Sequence, residues 1–246
     1  MPELLLSRFD CTEEKLTEFL SDTLHGTDDG ELFVEHSESE NLVFDNGKLK
    51  SGAFNTAQGF GLRAVTGETA GYAHSGELTL AALKRAAPAV RSVLSGPSGT
   101  YSAPPQRTNA RLYSPDNPIE APSFQQKAAL LGDIDAFARN LDDNVRQVSA
   151  SLSSSWQWIN ILRADGHLVA DYRPLVRLNI SIVVGQGDRQ ESGSHGLGGR
   201  HEFDRILTQK SWQDCAREAL RQATVNLSAV PAPAGAFDVV LGAGWP

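Results

Sequence analysis

Six histidines, at positions 25, 36, 74, 167, 195 and 201, have the widest chemical range of the residues in this 246-residue chain. A metal centre needs several His, Cys or carboxylate donors converging at helix or hairpin spacing. No two of these histidines stand four apart on a segment that reads as a helix, and His-Glu-x-x-His does not occur. His195 and His201 flank a Gly-rich run, and His201-Glu202 is a lone dipeptide with no helical partner. A hydrolase centre dispersed over His195, His201 and Glu202 is one reading of them. A solvated loop is the better supported one.

The run Gly185–Arg200 holds six glycines among sixteen residues. It is not the G-x-S-x-G turn of a serine hydrolase, and no helix opens behind it to cradle a phosphate. It reads first as a flexible hairpin tip or bulged edge. As a functional element it reads as a loop beside a peptide-binding cleft, where glycine lets backbone approach backbone. The cleft candidates are Ser194, His195, Gly198, Gly199 and Arg200. The acidic pairs Asp28-Asp29 and Asp142-Asp143 sit at predicted element ends, where capping accounts for them. No set of residues in the chain assembles a recognisable catalytic or metal centre.

Composition excludes several functions. Net charge is −8 and the isoelectric point is near 5.2. Such a balance disfavours nucleic acid, which calls for clustered Lys and Arg. Arg63, Arg173, Arg177 and Arg200 could share a face, but separate solvated or salt-bridged arginines explain them as well. No apolar run approaches membrane-spanning length, and Met1-Pro-Glu-Leu-Leu-Leu-Ser-Arg8 lacks the features of a signal peptide. Cys11 and Cys215 form no C-x-x-C pair and read as two reduced thiols. A cytoplasmic protein is expected.

The elements that must position any site follow from periodicity. Thr12–Leu24, Thr79–Leu94, Ser123–Leu141 and Ser211–Leu227 carry apolar stripes at helical spacing, with Pro88 expected to kink or break the second. Short strands are predicted at 31–40, 42–44, 48–54, 59–65, 69–74, 145–152, 156–163, 167–172 and 175–184. Hairpins turn at Asn46-Gly47, Thr66-Gly-Glu68 and Asp165-Gly166. Residues 96–122 are rich in Pro, Ser, Gly and Asn and read as a long loop. Along 175–184 apolar residues alternate with Arg177, Asn179 and Ser181, so one sheet face is wet or lines a cleft. The fold class is α+β with mostly antiparallel sheet, its strands falling in two blocks.

Several segments carry a resemblance. Gln58-Gly-Phe-Gly-Leu-Arg-Ala-Val-Thr-Gly67, Gly71-Tyr-Ala73, Asp171-Tyr-Arg-Pro-Leu-Val-Arg177, Gly198-Gly-Arg200 and Asn226-Leu-Ser-Ala-Val-Pro-Ala-Pro-Ala-Gly235 with Val239-Val-Leu-Gly-Ala-Gly-Trp-Pro246 stand in the order found in the TldD/PmbA family. The chain resembles the TldD side of that family from about residue 30 to its end. The resemblance implies a TldD-like N-terminal domain over 1–228. Residues 229–246 would be a linker and the first strand, Phe237–Leu241, of a truncated C-terminal metallopeptidase domain. In the family a His-Glu-x-x-x-His zinc motif follows this point, so zinc belongs to the intact protein and none is expected in this chain. The resemblance also implies a PmbA/TldE-like partner subunit, peptide substrates, roles in peptide maturation and antitoxin degradation, and the label modulator of DNA gyrase. The alternative is a complete, non-catalytic peptide-binding or regulatory module.

Overall fold

The structure, a computed structural model, describes residues 5–95, 112–164 and 166–243. Six strands, β1 (Asp29–Asp45), β2 (Lys48–Thr66), β3 (Thr69–Ser75), β4 (Val145–Arg163), β5 (Leu168–Gln186) and β6 (Arg189–Gly199), form one sheet in the order β3-β2-β1-β4-β5-β6. Every neighbouring pair is antiparallel. The two blocks of strands are therefore halves of a single sheet, joined where β1 lies against β4.

The strands are longer than the sequence suggests. Four of them run 17 to 19 residues, and the segments predicted separately are continuous. The cause is a polar middle. Along β1 the side chains facing the helices are Leu32, Val34, His36, Glu38, Glu40 and Leu42, apolar at both ends only. A strand of about 19 residues spans about 60 Å, enough to cross two separate cores.

Both cores lie on one face, because register aligns Leu32 with Leu62 and Leu162, and Leu42 with Leu152 and then Leu178. At one end, helices α1 (Glu13–Leu24) and α2 (Leu80–Arg91) bury Leu16, Leu20, Leu83 and Val90 against Leu32, Val34 and Leu62. At the other, α3 (Phe124–Arg139) and α5 (Gln209–Leu227) bury Leu131, Ile134, Ala216 and Ala219 against Leu152, Leu178 and Ile180. Each fully buried Leu or Ile contributes about 1.5–3 kcal/mol. Phe203–Ile206 forms a one-turn helix, α4, that the sequence did not signal.

Helix ends follow local chemistry. Ser123 and Gln126 make the capping box of α3, as their spacing predicts. Helix α5 is capped by Thr208 rather than Ser211, the Thr208 hydroxyl accepting from the Ser211 N–H at 3.1 Å. Helix α2 runs through Pro88 to Arg91 and then tightens into a 3-10 turn, so of the expected kink or break at Pro88 the break does not occur.

The Gly-rich run is a hairpin turn followed by a regular edge strand rather than a loop beside a cleft. Gly187 and Asp188 turn the chain, and Arg189–Gly199 pairs with β5 along its whole length. Gly193 explains part of the composition: a Cβ there would lie 2.2 Å from the Ala219 carbonyl oxygen, so only glycine lets α5 sit on the sheet. The segment Phe237–Leu241 forms no strand here. Val239, Val240 and Leu241 are 75–95 % exposed, because no strand among the described residues offers a ladder to it. Residues 96–111 of the long loop, Asp165 of the turn and Gly244-Trp245-Pro246 lie outside the described residues.

Candidate functional site

Between the two cores the helix side of the sheet carries a polar and aromatic waist. Residues 112–120 are strapped across it, strand by strand. The Arg200 guanidinium lies 5.7 Å over the Tyr113 ring and donates to the Pro174 carbonyl at 3.4 Å. The Trp156 indole N–H donates to the Pro115 carbonyl at 3.1 Å. Asn117 Nδ2 donates to Glu38 Oε2 at 2.8 Å. Lys127, fully buried, donates from Nζ to Glu40 Oε2 at 2.6 Å and to the Ile119 carbonyl at 2.8 Å.

Beneath the strap Trp156, Trp158 and Tyr172 form an aromatic trio, with Trp158 stacked on Tyr172 at 5.8 Å. His36 stands edge-on to Trp156 and is 4 % exposed. Its Nδ1 lies 2.9 Å from Arg8 Nη1, and its Nε2 lies 3.1 Å from Glu38 Oε1. Burial alone would push the Glu38 carboxyl up. The hydrogen bonds from Asn117 and His36, with the positive charge that His36 and Arg8 bring, outweigh burial and hold it below the usual glutamate range. This arrangement clamps four segments together: the N-terminal turn, β1, the strap and α3. Its charged groups face one another, so its chemistry is anchoring. In the sequence the cluster is marked by one signal, the polar interruption at 36–40 inside an apolar alternation.

The residues singled out from the sequence lie elsewhere. Ser194, His195, Gly198 and Gly199 sit on β6, the outermost strand, with Arg200 just beyond its end. Strand alternation sends His195 and Gly199 to the helix side, and Ser194 and Gly198 to the open face. His195 is exposed, and its carbonyl oxygen accepts from the Cys215 thiol at 3.3 Å. Burial pushes that thiol up to about 11, so it is a poor nucleophile at neutral pH. His201 and Glu202 are exposed and do not meet His195 in any hydrogen bond or ion pair among those of the described residues. Arg63, Arg173 and Arg177 share the open face, where Arg63 and Arg173 pair with Glu31 and Asp171; Arg200 is on the other side.

Residues 30–92 match the family model described as PmbA/TldA metallopeptidase domain 1, and residues 117–227 match the one described as PmbA/TldA metallopeptidase central domain. The chain belongs to the PmbA/TldD metallopeptidase family. It is 41% identical over 226 residues to the metalloprotease TldD homolog of Haemophilus influenzae, covering 89% of this chain and 47% of that protein. It is 33% identical over 248 residues to the metalloprotease TldD homolog of Buchnera aphidicola subsp. Schizaphis graminum, covering 97% and 49%. The chain thus spans about half the length of the curated relatives it matches.

Solved structures show the same fold at low identity. A Thermotoga maritima protein described as a modulator of a DNA gyrase superposes with TM-score 0.69 at 14% identity, over 85% of this chain and 48% of that one. TldE from Thermococcus kodakarensis superposes with TM-score 0.66 at 15% identity, over 86% and 47%. The two PmbA/TldA models meet across 93–116, yet the strands they cover form one sheet.

Metalloprotease relatives imply a metal in the family. The described residues of this chain do not fit one, since no three His, Cys, Asp or Glu side chains among them converge. No helix among the described residues is long and apolar enough to cross a membrane.

Proposed function

We propose that this chain is the N-terminal part of a TldD-like zinc metallopeptidase that hydrolyses peptides, acting with a PmbA/TldE-like subunit in the cytoplasm. The observation that carries the reading is the 41% identity, sustained over 226 residues, to a metalloprotease TldD homolog. Residues 1–228 form the N-terminal unit, and 229–246 are a linker and the first strand of a catalytic domain. Zinc and the general base belong to that domain, so the 246 residues alone hydrolyse nothing. Their role is to shape the cleft and meet the partner subunit, with Ser194, His195, Gly198, Gly199 and Arg200 bordering the cleft along the β6 edge. Peptide maturation and antitoxin degradation are the processes served.

Sequencing the source gene past the codon for Pro246 tests this reading. An open frame that continues into His-Glu-x-x-x-His within about a dozen codons is expected. A stop codon directly after Pro246 overturns it and leaves a non-catalytic peptide-binding module.

A further inference from the structure

An arginine side chain carries five N–H donors and no acceptor. The 2.9 Å contact from Arg8 Nη1 therefore fixes His36 Nδ1 as an acceptor. The ring proton sits on Nε2, where it donates to Glu38 Oε1 at 3.1 Å. Docking of the N-terminal turn onto the sheet thus requires a neutral imidazole in a single tautomer. We propose that His36 is a pH-operated latch, in which a proton on Nδ1 releases the segment Leu5–Phe9 from the sheet and leaves the strap in place.

The groups around the ring decide which contact gives way. From the N-terminal turn comes Arg8, a cation, and from β1 comes Glu38, an anion. The cross-strand neighbours are Gln58 on β2 and Trp158 on β4, with Trp156 edge-on; none carries charge. Asn117 of the strap, also uncharged, reaches only Glu38. A proton taken from solvent onto Nδ1 sets N–H against N–H, with two like charges at hydrogen-bond distance. Glu38 gains from the new charge and cannot leave, since its backbone is in β1 and Asn117 holds its second oxygen. Arg8 is free to leave, because it ends a four-residue 3-10 turn.

The lever is small and well bounded. Leu6 and Phe9 are 1 % and 5 % exposed, Phe9 packs on Phe60 at 6.3 Å, and Arg8 lies 5.7 Å over the Trp158 ring. Undocking uncovers Trp158 and Phe60, an apolar patch beside the strap. Release stops at Asp10, whose carboxylate accepts the Leu80 N–H at 2.7 Å and so ties the chain to the start of α2.

Hydrogen exchange of the purified chain at pH 8 and pH 5, corrected for intrinsic rates, tests the latch. In the wild type, amides of residues 5–9 should open about tenfold more at pH 5, while residues 112–120 stay unchanged. His36→Gln supplies an acceptor to Arg8 and a donor to Glu38 without titrating, and should stay closed at both pH values. Arg8→Met should be open at both. A wild type with no pH response overturns the proposal. So does a wild-type response that persists in His36→Gln or, should that variant not fold, in Arg8→Met.

Discussion

Lys127 Nζ lies 2.6 Å from Glu40 Oε2, and no part of the lysine side chain reaches solvent. This ion pair joins α3 to β1 at the waist, and the Ile119 carbonyl accepts a second hydrogen bond from the ammonium. Two buried charges with matched partners cost little as a pair, but a lone survivor costs a great deal. Lys127→Ala should therefore destabilise the protein by about 3–5 kcal/mol in urea unfolding. The double variant Lys127→Met, Glu40→Gln should recover most of that loss, because it leaves no unpaired charge.

The Gly193 Cα faces the backbone of α5 so closely that a Cβ would stand 2.2 Å from Ala219 O and 2.4 Å from Ala223 N. Neither neighbour is a flexible side-chain end. Gly193→Ala should cost at least about 3 kcal/mol by prising α5 off β6. At the turn, Gly187 has open space but φ of +60°. Gly187→Ala should cost only about 1–2 kcal/mol. Thermal unfolding of the two variants side by side checks the order.

Among the described residues no strand pairs with the outer edge of β2 before β3 begins at Phe60↔Ser75. The tight Gly67-Glu68 turn makes Thr66–Thr69 the closing hydrogen-bonded pair, so even-numbered residues of β2 aim their N–H groups outward. Odd-numbered residues aim theirs at β1, as Ala57 does toward Ser37. Thr56→Pro should thus fold with a loss of under about 1 kcal/mol, whereas Ala57→Pro removes a ladder bond and should lose at least about 2 kcal/mol. Equal losses in chemical denaturation would contradict this register.

Asn117→Ala removes the hydrogen bond that counters the desolvation of Glu38, so that carboxyl should rise. The sign follows from linkage. The folded protein holds Glu38 below its unfolded value, so the stabilisation is present in full above the ordinary glutamate range and fades as pH falls through and below it. Wild type and variant should differ by about 1.5–3 kcal/mol at pH 7 and converge in acid. Unfolding curves between pH 7 and pH 3 read the difference directly.

The chain itself determined the elements and the family. Apolar residues at helical spacing placed α1, α3 and α5, the Ser123–Gln126 spacing fixed a capping box, and Asn46-Gly47 fixed the first turn, because each is a local matter of backbone geometry and nearest neighbours. Ordered segments such as Gln58–Gly67 and Asp171–Arg177 carried the kinship to TldD. What needed the tertiary structure was every long-range pairing. His36, Glu38 and Glu40 read only as a loosely alternating stretch of the strand at 31–40, since nothing in the sequence shows that Arg8, Asn117 and Lys127 arrive from 28, 79 and 87 residues away to satisfy them. The glycines of β6 read as a flexible hairpin tip or bulged edge for the same reason. Alternation reports which residues want burial, but the helix that makes a side chain at Gly193 impossible comes from another part of the chain.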